Sequence, residues 1–275
     1  MKPAEILREL DKLPQKKFGQ NFLTDEKVLA DMVEAADIQP GETVVEIGSG
    51  LGVLTFELLK HAKQVIAIEA DRDLADYLRD KKIKNLTVIT GDALRVDWTV
   101  AIKEPYRIVA NIPYSITSPL LRKIFALDPS AGGKPVKVVL LVQKELAVRI
   151  TAPPGSRERG FLTLLCEASA KIKIVRTVKP GSFHPMPKVE SAIIEVVPLA
   201  QSKMTTIFWP VIEAGFSHQR QTAVNAIANS LHLPKGKVEQ ALVEAGLDPM
   251  VRPAVLTFDQ WKTVSKSLEN LIKSL

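Results

Sequence analysis

The sequence predicts an α/β domain, a largely parallel seven-stranded sheet flanked by helices, joined to a small C-terminal domain that is all helix. Three observations carry that prediction. Short apolar runs alternate with helical patterns from Val44 to Val197, the signature of βαβ units. The first run, Val44-Val45-Glu46-Ile47, breaks into Gly48-Ser49-Gly50-Leu51-Gly52 and resumes as Val53-Leu54-Thr55-Phe56-Glu57-Leu58-Leu59, so the glycines form a strand-to-helix turn. Beyond Pro198 the apolar residues recur only at helical spacing.

Residues 1–24 hold a short amphipathic helix and then Lys17-Phe18-Gly19-Gln20-Asn21-Phe22-Leu23, a stretch with two aromatics and no clear period. Asp25 is placed to cap a helix whose Val28, Leu29, Met32, Val33 and Ala36 share one face. Pro40-Gly41 turns the chain into the first strand. A second strand, 64–69, follows helix 53–61, and helix 72–81 leads to a third strand, 86–90. The fourth, 107–110, precedes helix 116–126, and the fifth, 136–142, precedes helix 144–150. Pro153-Pro154-Gly155 marks a loop, helix 161–170 follows, and strands near 171–178 and 191–197 complete the seven. The final region carries three stripes: Val224, Ile227, Ala228 and Leu231; Val238, Ala241, Leu242 and Ala245; and Phe258, Trp261, Ser265, Leu268, Ile272 and Leu275. A boundary near residue 200 gives domains 1–200 and 201–275.

At 275 residues, with 46% hydrophobic and 25% charged, the chain is globular and long enough for a full core. No apolar run approaches the roughly 18 residues of a membrane span, and the N-terminus has no signal-peptide core. The single cysteine, Cys166, reads as a buried helix residue, which fits a reducing cytoplasm. The four histidines show no ligand spacing, so no metal site is expected. The net charge of +6 is uneven: residues 134–188 hold eleven Lys or Arg against three Glu, +8, leaving −2 for the rest. Such a segment suits a nucleic-acid face.

Glycines at the first, third and fifth positions of the turn depart from the dinucleotide fingerprint, whose third glycine falls at the sixth, here Val53. Backbone N–H groups freed of Cβ atoms still suit a polar or anionic ligand. Glu69 ends the second strand 21 residues after Gly48, about where a carboxylate meets ribose hydroxyls. Asp92 follows the third strand, and Asn111-Ile112-Pro113-Tyr114 follows the fourth. This tetrad resembles the strand-end box of enzymes that methylate exocyclic amino nitrogens. The resemblance implies a target such as an adenine amino nitrogen, a poor nucleophile because its lone pair is delocalised into the ring. The Asn111 side-chain oxygen and the Ile112 carbonyl suit its two N–H groups, and Tyr114 gives an extruded base a ring to stack on, with Phe183 a second.

Glu46-x-Gly48-x-Gly50-x-Gly52 resembles motif I of the S-adenosylmethionine-dependent methyltransferases, and Asn111-Ile112-Pro113-Tyr114 resembles the Asn/Asp-Pro-Pro-Tyr box of enzymes that methylate exocyclic amino nitrogens. With Lys17 to Leu23 and Phe183-His184-Pro185-Met186-Pro187-Lys188-Val189, nearly the whole chain is similar to the ribosomal RNA adenine dimethyltransferase family, its bacterial small-subunit branch above all. The resemblance implies a Rossmann-like class I methyltransferase domain, S-adenosyl-L-methionine as cofactor, and a C-terminal domain for RNA or ribosome recognition. It implies a catalytic set of Asn111, Ile112, Pro113, Tyr114 and Phe183. It also implies a cofactor pocket of Gly48, Gly50, Glu69, Asp92 and Asn111, closed by Asn21 and Leu23 of the N-terminal segment 1–24. Its substrate would be two adjacent adenosines in a hairpin loop near the 3′ end of 16S RNA, dimethylated at N6 in an immature small ribosomal subunit by a cytoplasmic monomer. One departure is Phe216-Ser217-His218-Gln219-Arg220-Gln221, where the family has Phe-x-x-Arg-Arg-Lys, which puts RNA contacts there in doubt. The alternatives are a 23S adenine methyltransferase of the macrolide-resistance type and a non-catalytic RNA-binding assembly factor. An NAD-dependent oxidoreductase is disfavoured by the glycine spacing, and cytosine C5 methylation by the absence of a Pro-Cys pair.

Overall fold

The computed structural model describes residues 3–102, 105–126, 133, 135–199, 207–218 and 220–273. Lys134 of the basic segment, Gln219 of the departing motif, Leu275 of the third stripe and the boundary expected at residues 200 and 201 lie outside them.

In chain order the elements are α1 Pro3–Glu9, β1 Phe22–Leu23, α2 Glu26–Ala36, β2 Thr43–Ile47, α3 Val53–Leu58, β3 Gln64–Glu69, α4 Arg72–Asp80 and β4 Leu86–Thr90. Then come β5 Tyr106–Asn111, α5 Thr117–Ala126, β6 Lys137–Gln143, α6 Lys144–Ile150, α7 Phe161–Ser169, β7 Ala170–Val178, β8 Phe183–His184 and β9 Ser191–Pro198. The last four are α8 Phe208–Phe216, α9 Ala223–Leu231, α10 Lys235–Glu244 and α11 Phe258–Lys273.

The sheet has seven strands in the order β4-β3-β2-β5-β6-β9-β7. Strands β2 to β6 pair in parallel, but β9 is antiparallel to both β6 and β7. A parallel return needs a crossover, and only a single 3₁₀ turn at Pro180–Ser182 and the short β8 lie between β7 and β9, so the chain doubles back and β9 inserts between β7 and β6. The expectation of parallel units therefore holds for the first five strands of the sheet and not for β9. Strands β2, β5 and β6 are buried almost throughout, and most of their residues are accordingly apolar.

The chain packs as two compact units, residues 1–147 with 170–198, and residues 148–169 with 199–275. The chain passes between them three times, and a single division near residue 200 accounts for one of these passages. The physical reason is the apolar face of α7: Leu164 is fully buried in one cluster with Val211, Ile227, Leu242 and Trp261, so α7 belongs to the helical core. The three C-terminal stripes form α9, α10 and α11. Helix α8 was not evident, since Phe-Trp-Pro-Val-Ile is apolar without period. It packs tightly: a Cβ on Gly215 would lie 2.4 Å from Trp261. Among the described residues no helix is long and apolar enough to cross a membrane.

The expected cap on α2 is present. Asp25 accepts hydrogen bonds from the backbone N–H groups of Lys27 and Val28, and also from Ser182 Oγ at 2.8 Å. Thr24 N and Oγ both donate to the Ser182 carbonyl, next to the two-residue antiparallel pair that joins β1 to β8. This clasp fastens the N-terminal segment to the segment that carries Phe183.

Candidate active site

Parallel registers place the carboxyl ends of β2, β3, β4 and β5 side by side, and a cavity of about 320 Å³ opens there. Its floor is the glycine turn. Gly48, Gly50 and Gly52 have φ of 75°, 55° and 81°, the left-handed region that other residues avoid. At Gly50 a Cβ would also press on the Phe22 ring at 3.0 Å, so the bare backbone is needed for the wall to close.

Glu69 reaches this turn from the end of β3. Its Oε2 accepts from Gly50 N at 2.7 Å and its Oε1 from Asp71 N at 2.8 Å. Each carboxylate oxygen has a second lone pair, so the group can still accept from a ligand hydroxyl. Burial raises its pKa, and the two backbone N–H groups oppose that rise. Glu46, inside β2, is 1% exposed with Oε2 unpartnered among the described residues. Burial pushes its pKa up to about 8, the Thr55 hydroxyl opposing and the Glu69 carboxylate adding. Asp92 is half-exposed in the loop after β4, where Leu94 N donates to its Oδ1 at 2.9 Å. Lys123 of α5 donates to the Ala93 and Val96 carbonyls, holding that loop in place.

At the end of β5, Asn111 Nδ2 donates to the Asn21 carbonyl at 3.0 Å. Only the amide nitrogen can donate to a carbonyl, so this bond fixes the orientation of the group and leaves Oδ1 as the acceptor. Ile112, Pro113 and Tyr114 follow along the same wall. The opposite wall is Lys17 to Leu23. Gly19, at φ 59°, lies so close that a Cβ would touch Pro113 at 3.1 Å. This wall is tied down from outside, because Gln20 Nε2 (3.1 Å), Gln15 Nε2 (3.2 Å) and Lys12 Nζ (3.2 Å) all donate to the Asp71 carboxylate.

The cavity thus brings together a carboxylate at a glycine turn, a second acid one strand away and an oriented amide beside an aromatic ring. A protein-family model described as ribosomal RNA adenine dimethylase matches residues 12–270. The chain belongs to that family. Ribosomal RNA small subunit methyltransferase A of Clostridium botulinum strain Langeland is 37% identical over 99% of this chain and 100% of its own. The protein of that name from Syntrophotalea carbinolica is 38% identical over 93% of this chain and 97% of its own. Among solved structures, a dimethyladenosine transferase from Plasmodium falciparum superposes with a TM-score of 0.78 at 28% identity, covering 90% of this chain and 98% of that one. The 23S rRNA methyltransferase ErmE superposes with a TM-score of 0.71 at 29% identity, covering 90% and 100%.

In this adenine dimethylase, Asn21, Leu23, Gly48, Gly50, Glu69, Asp92, Asn111, Ile112, Pro113 and Tyr114 all line the cavity. Phe183 does not. It is 5% exposed in the apolar cluster with Leu23, Val28 and Met32, and its register partner in the small sheet is Leu23. Its ring packs in that cluster, so the cavity lining does not include this expected stacking residue. The basic segment also needs correction. It is divided between the two units, and among the described residues several of its cations pair with carboxylates: Lys137 with Asp37 and Glu195, Lys144 with Glu190, Arg159 with Glu167, Lys173 with Glu195, and Arg176 with Asp31. Four of those acids lie outside residues 134–188, so counting the window alone overstated its charge. Arg157, Lys171, Lys179 and Lys188 are exposed and form no salt bridge among the described residues. Gln20, Asp71, Lys123 and Ser191, ordinary polar residues of loops, a helix and a strand end, carry no spacing signal in the sequence.

Proposed function

We propose that the chain transfers methyl groups from S-adenosyl-L-methionine to N6 of two adjacent adenosines in a hairpin loop near the 3′ end of 16S ribosomal RNA. The products are N6,N6-dimethyladenosines, made in the cytoplasm by a monomer acting on an immature small ribosomal subunit. The single observation that carries the reading is the Asn111 amide, oriented by the Asn21 carbonyl beside Tyr114 in a cavity that also holds Glu69 and Asp92.

The cavity fits the cofactor. Its volume is within the usual range for small-ligand sites, Gly50 leaves no Cβ in the way, and Glu69 keeps free lone pairs. Glu69 would take the ribose hydroxyls and Asp92 the adenine amino group. Gly48 and Gly50 offer backbone near the polar end, while Asn21 and Leu23 cover it. When bound, the cofactor supplies a methyl group on a sulfonium, an electrophile that needs no covalent help from the protein.

The chain's own residues then act on the target base. Asn111 Oδ1 and the Ile112 carbonyl accept its two N–H bonds, which favours a localised lone pair on N6 and holds the nitrogen in line. Tyr114 stacks on the extruded ring. Pro113, its φ held at −55° by the ring, fixes the backbone between acceptors and ring. The unit of residues 1–147 and 170–198 would do this chemistry, with residues 148–169 and 199–275 recognising RNA or the ribosome. Near-full-length likeness to small-subunit methyltransferases supports 16S over 23S RNA as substrate.

The test is transfer of labelled methyl groups to ribosomal particles from cells lacking 16S adenine dimethylation. Label is expected in small-subunit RNA. Label in 23S RNA would favour the resistance-type alternative, and label in neither would favour an assembly factor.

A further inference from the structure

A stacking ring is useful only if its plane is held. Positioning errors of 10–20° or about 0.5 Å already spoil a constellation, and roughly 1 Å of misplacement can cost a hundredfold in rate. For Tyr114 two torsions set that plane, and the ring is only half-buried, so packing fixes it incompletely. The hydroxyl is the far end of the lever.

That end is tied. Tyr114 Oη and Ser191 Oγ lie 2.7 Å apart in a hydroxyl–hydroxyl hydrogen bond. Ser191 is fully buried and opens β9, opposite Gln143 of β6 on one side and Val178 of β7 on the other. It is therefore part of the sheet. Among the described residues Tyr114 is the one hydrogen-bond partner of its Oγ, so the hydroxyl has no competing structural bond.

We propose that Ser191 is a positioning residue for methyl transfer, fixing from within the sheet the tilt of Tyr114 and so the plane in which the target adenine is stacked. This rests on Tyr114 being the stacking ring. Ser191 touches neither ligand; it acts through the phenol alone. Losing the bond leaves the stacking area in place, so RNA should still bind. What declines is the fraction of bound bases with N6 in line.

The test is a double-mutant cycle of Tyr114→Phe and Ser191→Ala, followed by single-turnover methylation of undermethylated small subunits and by calorimetry with S-adenosylmethionine. Each single variant should lose roughly tenfold in the transfer rate, with KM for the particle and cofactor affinity within about twofold of wild type. The double variant should be no slower than the slower single, since both remove one bond. Tyr114→Phe deletes one half-exposed oxygen and keeps the ring, so it carries the test if Ser191→Ala does not fold. Wild-type transfer rates in both single variants, or losses that multiply in the double, would overturn the proposal. Tyr114→Ala separates it from its premise. An impaired Tyr114→Ala beside a normal Tyr114→Phe sinks the serine anchor alone, whereas a normal Tyr114→Ala sinks the stacking reading.

Discussion

Glu46 is a carboxyl group in the middle of an apolar strand, and its environment makes it a pH-sensitive position. The unfolded chain releases its proton near the ordinary 4.5, whereas burial holds the folded group to about 8. Between those values the folded state binds the extra proton. Raising pH there favours unfolding by up to about 1.4 kcal/mol per pH unit, and the loss levels off above the folded value. Glu46→Gln removes this dependence. Denaturant melts of both proteins should show the variant gaining on wild type as pH rises from about 5 to about 8; parallel curves would mean Glu46 titrates normally. Asp92→Ala should weaken S-adenosylmethionine binding by about 1 kcal/mol, the low end for a hydrogen bond because the carboxylate is half-exposed. Calorimetry checks it, and unchanged affinity would remove Asp92 from the pocket. At this scale the sequence places Gly48, Glu69, Asp92 and Asn111 at the strand ends that line the cavity. The burial of Phe183 and Arg159 depends on tertiary packing and carries no signal in the sequence. Arg159 fills an interior site, its guanidinium on Glu167 and on the Ala152 and Leu256 carbonyls, and so is unsuited to phosphate contact.

Among the elements, the long ones were legible because period and length agree, and the seven main strands and the cap of α2 fall where the residues place them. The two-residue β1 and β8 have no length in which a period can show, yet they join the wall Lys17–Leu23 to the segment before Ser191. Asp25 serves two elements at once, capping α2 and receiving Ser182. The Ser182 hydrogen bond lowers its pKa, so its stabilising effect is present at neutral pH and is lost as pH falls through the folded value. Asp25→Ala should cost about 1 kcal/mol or more from the cap alone, read from the denaturation midpoint at neutral pH, with the difference from wild type shrinking in acid. A neutral substitution would show that the clasp does not contribute.

For the whole molecule, RNA affinity depends on cations that remain uncommitted. Removing Arg157, Lys179 and Lys188 together should reduce the slope of log affinity against log salt by roughly 0.7–0.9 for each that meets a phosphate. Arg159→Met should leave the slope unchanged while lowering stability, because it leaves Glu167 without its partner. The central claim concerns the product. Immature small subunits from dimethylation-deficient cells should be incubated with S-adenosylmethionine and wild-type protein or Asn111→Ala, and the 16S RNA digested for mass spectrometry. Wild type is expected to yield N6,N6-dimethyladenosine at two neighbouring positions and Asn111→Ala almost none; a single monomethylated adenosine, or equal product from the variant, would contradict the account.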